Sequence, residues 1–220
     1  MARLDDYAPR ASRVLAAEEF SFNEAIGGWR GFAESVLPGL VFVVAYLGWG
    51  GFQIPVIAAV SVVVAMVVAR MVQRTPITQA LAGSFGVALG AVWAWRAGDA
   101  GEYFVPGFWI TGAYALAVLI SMLVRWPAVG VVMGLVKGWG SQWRAHPALM
   151  KRFQLATGVF VASQLIKLAV QLPLYFGGAV AALGTARLAM GLPYFALTLW
   201  VLWLMVRNAA LPQEQPDPRR

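Results

Sequence analysis

The stretch SQLIKLAVQLPLYF, residues 163–176, holds the side chains best placed to do chemistry in this chain. Lys167 stands there between Gln164 and Gln171, and Phe153, Thr157 and Phe160 precede them. The six recur at alternating steps of four and three residues, which sets them on one helix face. A lysine between two amides makes a polar seam, and such seams face a bundle interior or a water-filled cavity rather than lipid. Arg187, in GTARLAMGLP, is a second cation in apolar surroundings, and Asp99 and Glu102 are the acids expected on the same side. Two uses of these groups stand open. The acids pair with Lys167 and Arg187 and pin their loop to the bundle, or the cations form a pocket for a lipid phosphate or another anion. A proton or ion relay through Lys167 is the weakest use, because no acid within the spans is available as its partner. Near the start of the chain, Arg30 and Glu34 stand one helical turn apart and can pair along it.

Other chemistries lack their residues. There is no cysteine, and His146 is the only histidine, so thiolate catalysis, disulfides and His- or Cys-based metal clusters are excluded. His146 lies in the basic segment WRAHPALMKR and reads as a solvated surface residue. The glycines of GWGGFQ, residues 48–53, lack the strand-to-helix context of a dinucleotide site. The reading is a non-enzyme with no catalytic residue, no metal and no cofactor.

The elements that position these groups are apolar helices. The chain has 220 residues, 60% hydrophobic and 12% charged, against about 25% charged in a soluble domain. Runs long enough to cross a hydrocarbon core of about 30 Å recur. They predict six spans, at about 31–49, 54–72, 77–95, 105–124, 152–175 and 180–206. The fold class is all-α: a polytopic six-helix transmembrane bundle, residues 31–207, with an interfacial or re-entrant helix between spans four and five. Residues 1–30 form a cytoplasmic N-terminal arm, and 208–220 a disordered cytoplasmic tail. The segment at issue between spans four and five, 126–138, is too short to cross and carries Gly130, Gly134 and Gly138 at every fourth position.

Charge sets the orientation. Of 17 Lys and Arg, fourteen fall on the side that holds both ends of the chain, and only Arg96 falls in an opposite connection. Lys167 and Arg187 lie in or beside spans. That bias predicts both termini in the cytoplasm, at the inner membrane. The ten tryptophans collect toward the predicted span ends, as an aromatic belt does. The net charge of +7 is therefore a membrane-orientation signal rather than a sign of nucleic-acid binding. In the third span Ala82, Gly86, Gly90 and Ala94 form a small-residue stripe that lets another backbone approach. The expected partner is another helix of the bundle, with a homodimer as the alternative.

The segments GGWRGFAESVLPGLVFVVAYLG (27–48), QALAGSFGVALGAVWAWRAG (79–98), LVRWPAVGVVMG (123–134) and VQLPLYFGGAVAALGTARLAMGLP (170–193) resemble an uncharacterised family of actinobacterial six-span membrane proteins. That family is itself distantly similar to intracellular septation protein A. The resemblance covers about residues 22–207. It implies an inner-membrane protein of cell-envelope synthesis or division, acting through membrane lipids and other envelope or division membrane proteins. The alternative function is a small transporter or flippase-like protein with an anion or lipid site near Lys167.

Overall fold

The computed structural model describes residues 28–73 and 78–211, and the side chains at 28–31 and 78–84 lie outside the described part. Of the expected arm at 1–30 residues 1–27 fall outside it, and of the expected tail at 208–220 residues 212–220 do, whereas Ala209 and Leu211 are buried. Among the described residues every regular element is helical. The helices are α1 (Gly28–Trp49), α2 (Gln53–Val72), α3 (Thr78–Ala97), α4 (Val105–Leu123), α5 (Ala128–Val136), α6 (Pro147–Phe176), α7 (Val180–Ala189) and α8 (Leu192–Val206). Two 3-10 turns, Gly101–Phe104 and Gln142–Ala145, precede α4 and α6.

Among the described residues five segments are long and apolar enough to cross a membrane: Phe32–Trp49, Gln53–Val72, Gly101–Leu123, Pro147–Phe176 and Val180–Val206. The last breaks at Met190 and Gly191 into α7 and α8, where the sequence places Gly191 two residues before Pro193. Their outward faces are apolar. Leu47, Trp49, Val72, Trp109, Leu123 and Phe176 are all exposed, whereas Arg70, Thr157 and Gln171 are buried. Water would penalise a surface of that size and composition. The protein is membrane-embedded.

The chain divides into two compact units. One comprises residues 26–114 and 164–195. In it α1 and α2 form a hairpin whose turn places Gly50 and Gly51 at φ of 66° and 63°, a left-handed backbone that glycine adopts without a Cβ penalty. Phe42, fully buried on α1, stacks on Tyr103 at 4.3 Å and meets the edge of Phe104 at 5.4 Å. The 3-10 turn Gly101–Phe104 is thus a wedge in the apolar core. It rests on α3 at Gly90, where a Cβ would come within 2.5 Å of the Tyr103 carbonyl oxygen. The short helix α7 packs on α1 through two further small residues. A Cβ on Gly184 would meet Val43, and one on Gly39 would stand 3.0 Å from Leu188.

Among the described residues the other unit comprises 115–163 and 196–211. Its described core centres on Trp143, which is fully buried and meets the edge of Phe153 at 5.4 Å. The indole Nε1 donates to the Gly140 carbonyl at 3.0 Å. Helix α5 lies under this ring because Gly130 and Gly134 offer it no side chain: a Cβ at either would run into Trp143. Thr157 Oγ1 accepts the Val129 N–H at 3.2 Å and donates to the Phe153 carbonyl at 2.8 Å. It satisfies one of the orphan donors at the start of α5. With nine residues, α5 is about 13.5 Å long, too short to cross a bilayer.

Candidate functional site

Arg187 sits in the last turn of α7, where a cation is favoured by the carbonyl ends of the helix. Its side chain enters a cleft of about 360 Å³ lined by α1, α3, α4 and α7 and reaching the start of α8. The guanidinium carbon stands 5.7 Å from the Phe104 ring centre and 5.9 Å from that of Phe108. One nitrogen, Nη1, donates to the Phe104 carbonyl at 3.3 Å. The group lies so close to the α4 backbone that a Cβ on Gly107 would collide with Nη2. A side chain at 107 would therefore require the end of this arginine to shift. A guanidinium has five N–H donors, and among the described residues no carboxylate pairs with this one.

The rest of the lining is small and lightly polar. Gly39, Gly86, Gly184 and Gly191 keep the cleft open, and Ser35, Tyr103 and Thr111 place hydroxyl-bearing residues on its walls. Lys167 is half-buried on α6 and, like Gln164 and Gln171, is not among the residues that line this cleft. Gln164 is half-buried and Gln171 buried on the same helix. The arrangement is a cationic cleft in apolar surroundings, suited to holding an anionic group by charge-assisted hydrogen bonds. Among the described residues no three His, Asp or Glu side chains converge as a metal site would need.

The acids take other partners. Asp99 Oδ1 accepts the Gly101 N–H at 2.6 Å and closes the loop on itself. Glu102 Oε1 accepts the Tyr175 hydroxyl at 2.5 Å and ties the wedge to the end of α6. Neither meets Lys167 or Arg187 in an ion pair. A reach that short exists within a four-residue loop or to an adjacent aromatic, whereas the two cations stand farther off.

Glu34 pairs with Arg70 of α2, by a contact to Nη2 and by Nε donating at 3.0 Å. The side chain of Arg30 is outside the described part. The α1–α2 hairpin explains this partner, since residues 34 and 70 stand equally far from residue 52 at its turn. Counting outward from GWGGF leads to Arg70. In the small-residue stripe, Gly90 and Ala94 are buried, and Gly90 receives the Tyr103 wedge in the space a Cβ would fill. The partner there is a turn rather than a helix, because the 3-10 segment follows α3 closely and folds back. Gly86 opens into the cleft, and the Ala82 side chain is outside the described part. Gly107 does not stand out in the sequence. Its one signal is its place beside Pro106 in the first turn of α4.

Fold and site together define a helical membrane-embedded protein with a cation in a cleft that no carboxylate among the described residues pairs with. The chain belongs to the DUF3159 family, described as proteins of unknown function, which it matches over residues 26–213. Neither curated proteins nor solved structures gave a match.

Proposed function

We propose that this is a non-enzymatic inner-membrane protein that binds an anionic lipid headgroup in its Arg187 cleft and supports cell-envelope synthesis or division alongside other membrane proteins. The observation that carries the lipid reading is Arg187: a guanidinium in an apolar cleft, with no carboxylate partner among the described residues. A half-buried charge in apolar surroundings without a counter-charge is unfavourable, and a phosphate supplies one with matching fork geometry. The envelope role rests on the resemblance to septation-type proteins. Six spans, with α3 as the third, and both termini in the cytoplasm follow from the charge bias. That topology puts Arg187 and Lys167 toward the outer leaflet, and α5 as an interfacial helix at the inner face.

Native mass spectrometry of the purified protein tests this, with wild type beside Arg187→Gln and Lys167→Leu. A phosphate-bearing lipid held by wild type and lost from Arg187→Gln is the expected result. An identical lipid complement in all three would reduce Arg187 and Lys167 to packing residues. The second reading, a small transporter or flippase-like protein, draws on the polar seam of Gln164, Lys167 and Gln171, half-buried to buried along α6. Lipid scrambling in vesicles that depends on Lys167 would favour it.

A further inference from the structure

We propose that a second site, in the other unit, takes the headgroup of an anionic phospholipid: the hollow bounded by Arg125, Arg144, Lys151 and Gln154. It is independent of the Arg187 cleft and uses none of its residues. The hollow has a volume of about 690 Å³, and Met150 and Leu155 complete its walls. Its three cations are exposed, and among the described residues none forms an ion pair with a carboxylate. The sequence reinforces this, for between Tyr103 and Gln213 it contains no aspartate or glutamate.

The cations are placed rather than loose. The Arg144 guanidinium lies 4.2 Å above the Trp126 ring, and Trp126 meets the edge of the buried Trp143 at 6.4 Å. Stacking of this kind fixes a guanidinium plane while leaving its N–H edge available. Gln154 Nε2 donates to the Met122 carbonyl at 2.9 Å and ties α6 to the end of α4. Arg125 follows that end at φ 58°, the one non-glycine residue with positive φ among those described. The Arg125 N–H bonds the Met122 carbonyl at 3.0 Å, and the Trp126 N–H bonds the Ser121 carbonyl at 2.9 Å. This is a helix C-terminus at which glycine is the usual left-handed residue. An arginine there is a conformationally unfavourable choice that sets a charge at the edge of the hollow.

The apolar surroundings select a lipid over a soluble anion. Leu155 lies one turn beyond Lys151 on α6 and is exposed, and Leu123 and Val124, just before Arg125, are exposed as well. On both helices a cation gives way to bare aliphatic surface within one turn. That is the step from phosphate level to acyl level in a bilayer. A diacyl lipid meets both halves, with phosphate on the cations and chains along Leu123, Val124 and Leu155. Basic pockets at helix ends on the cytoplasmic side bind such headgroups in this way.

The test is native mass spectrometry of the full chain in mixed micelles of phosphatidylglycerol and phosphatidylcholine. It is run in wild type and in an Arg187→Gln background, so that loss of the first site is read separately. Wild type and Arg187→Gln should both retain phosphatidylglycerol over phosphatidylcholine at this hollow. The R125G/R144Q/K151Q variant should lose that preference, by roughly fivefold per charge removed. Arg125→Gly alone relieves the backbone, so it should fold as wild type does by circular dichroism and still lose about fivefold. Undiminished retention in the triple variant would overturn the proposal. So would displacement of the lipid by added inorganic phosphate with phosphate found bound, which would make the site one for a free anion.

Discussion

Gly107 and Arg187 make a pair in which the smaller residue is the informative one. The guanidinium occupies the space a Cβ would need, so Gly107→Ala should displace Arg187 and destabilise the protein by about 1–3 kcal/mol, as overpacking does. Gly112, on the same helix, is the control, because a Cβ there would meet nothing within 4 Å. At that position alanine should be neutral or stabilising by up to about 1 kcal/mol, from helix propensity alone. Thermal unfolding of the two variants in one detergent separates these outcomes, and equal transitions would show that Arg187 yields without strain. Sequence periodicity made the seam of Gln164, Lys167 and Gln171 legible, because a helix face is a local property. It did not reveal Gly107, whose meaning depends on a side chain that arrives from α7. The same limit hid the partners of Asp99 and Glu102. A nearby backbone N–H and a tyrosine hydroxyl are as good for a carboxylate as a distant cation, and charge alone does not rank them.

At the scale of elements, the α1–α2 hairpin and the α5 helix each carry a polar contact that can be tested by itself. The Arg70 side chain is 8% exposed and that of Glu34 19%, so the pair is largely withdrawn from solvent. Glu34→Leu alone should cost about 3–5 kcal/mol, since it takes the carboxylate away from a buried guanidinium. The double variant Glu34→Leu, Arg70→Leu should recover most of that. A double variant no more stable than the single one would show that the charges hold other elements as well. Thr157→Val removes the acceptor for the Val129 N–H and should cost about 1–2 kcal/mol. Faster hydrogen exchange confined to the first turn of α5 is the signature to look for. Apolar run length sets an expected range for each helix, and the start of α6 departs from it. That helix begins at Pro147, earlier than the expected 152, since proline is well suited to a first turn and the charged residues Lys151 and Arg152 did not end it. The wedge at 101–104 reads as loop in the sequence, because four residues are too few to show a period.

For the whole molecule, the absence of native cysteine makes topology directly measurable. Single cysteines at Asp99 and Ser141 should react with a membrane-impermeant maleimide from opposite sides of a sealed vesicle. Asp99→Cys should be labelled from the periplasmic side and Ser141→Cys from the cytoplasmic. Labelling of both from one side would remove a span from the six-span arrangement. The lipid-facing character of the chain was plain from composition, whereas its division into two units was not. Each unit gathers segments from distant parts of the sequence, and nothing in a linear apolar pattern marks which spans will share a core.

The Glu34–Arg70 pair also has a consequence in time. Its partners are 36 residues apart, so at ordinary synthesis rates of about 5–20 residues per second Arg70 is made about 2–7 s after Glu34. Until then α1 carries its carboxylate without the Arg70 guanidinium. The unit that settles stably during biogenesis is therefore the completed hairpin, and a chain stalled between residues 50 and 70 would leave its first helix waiting.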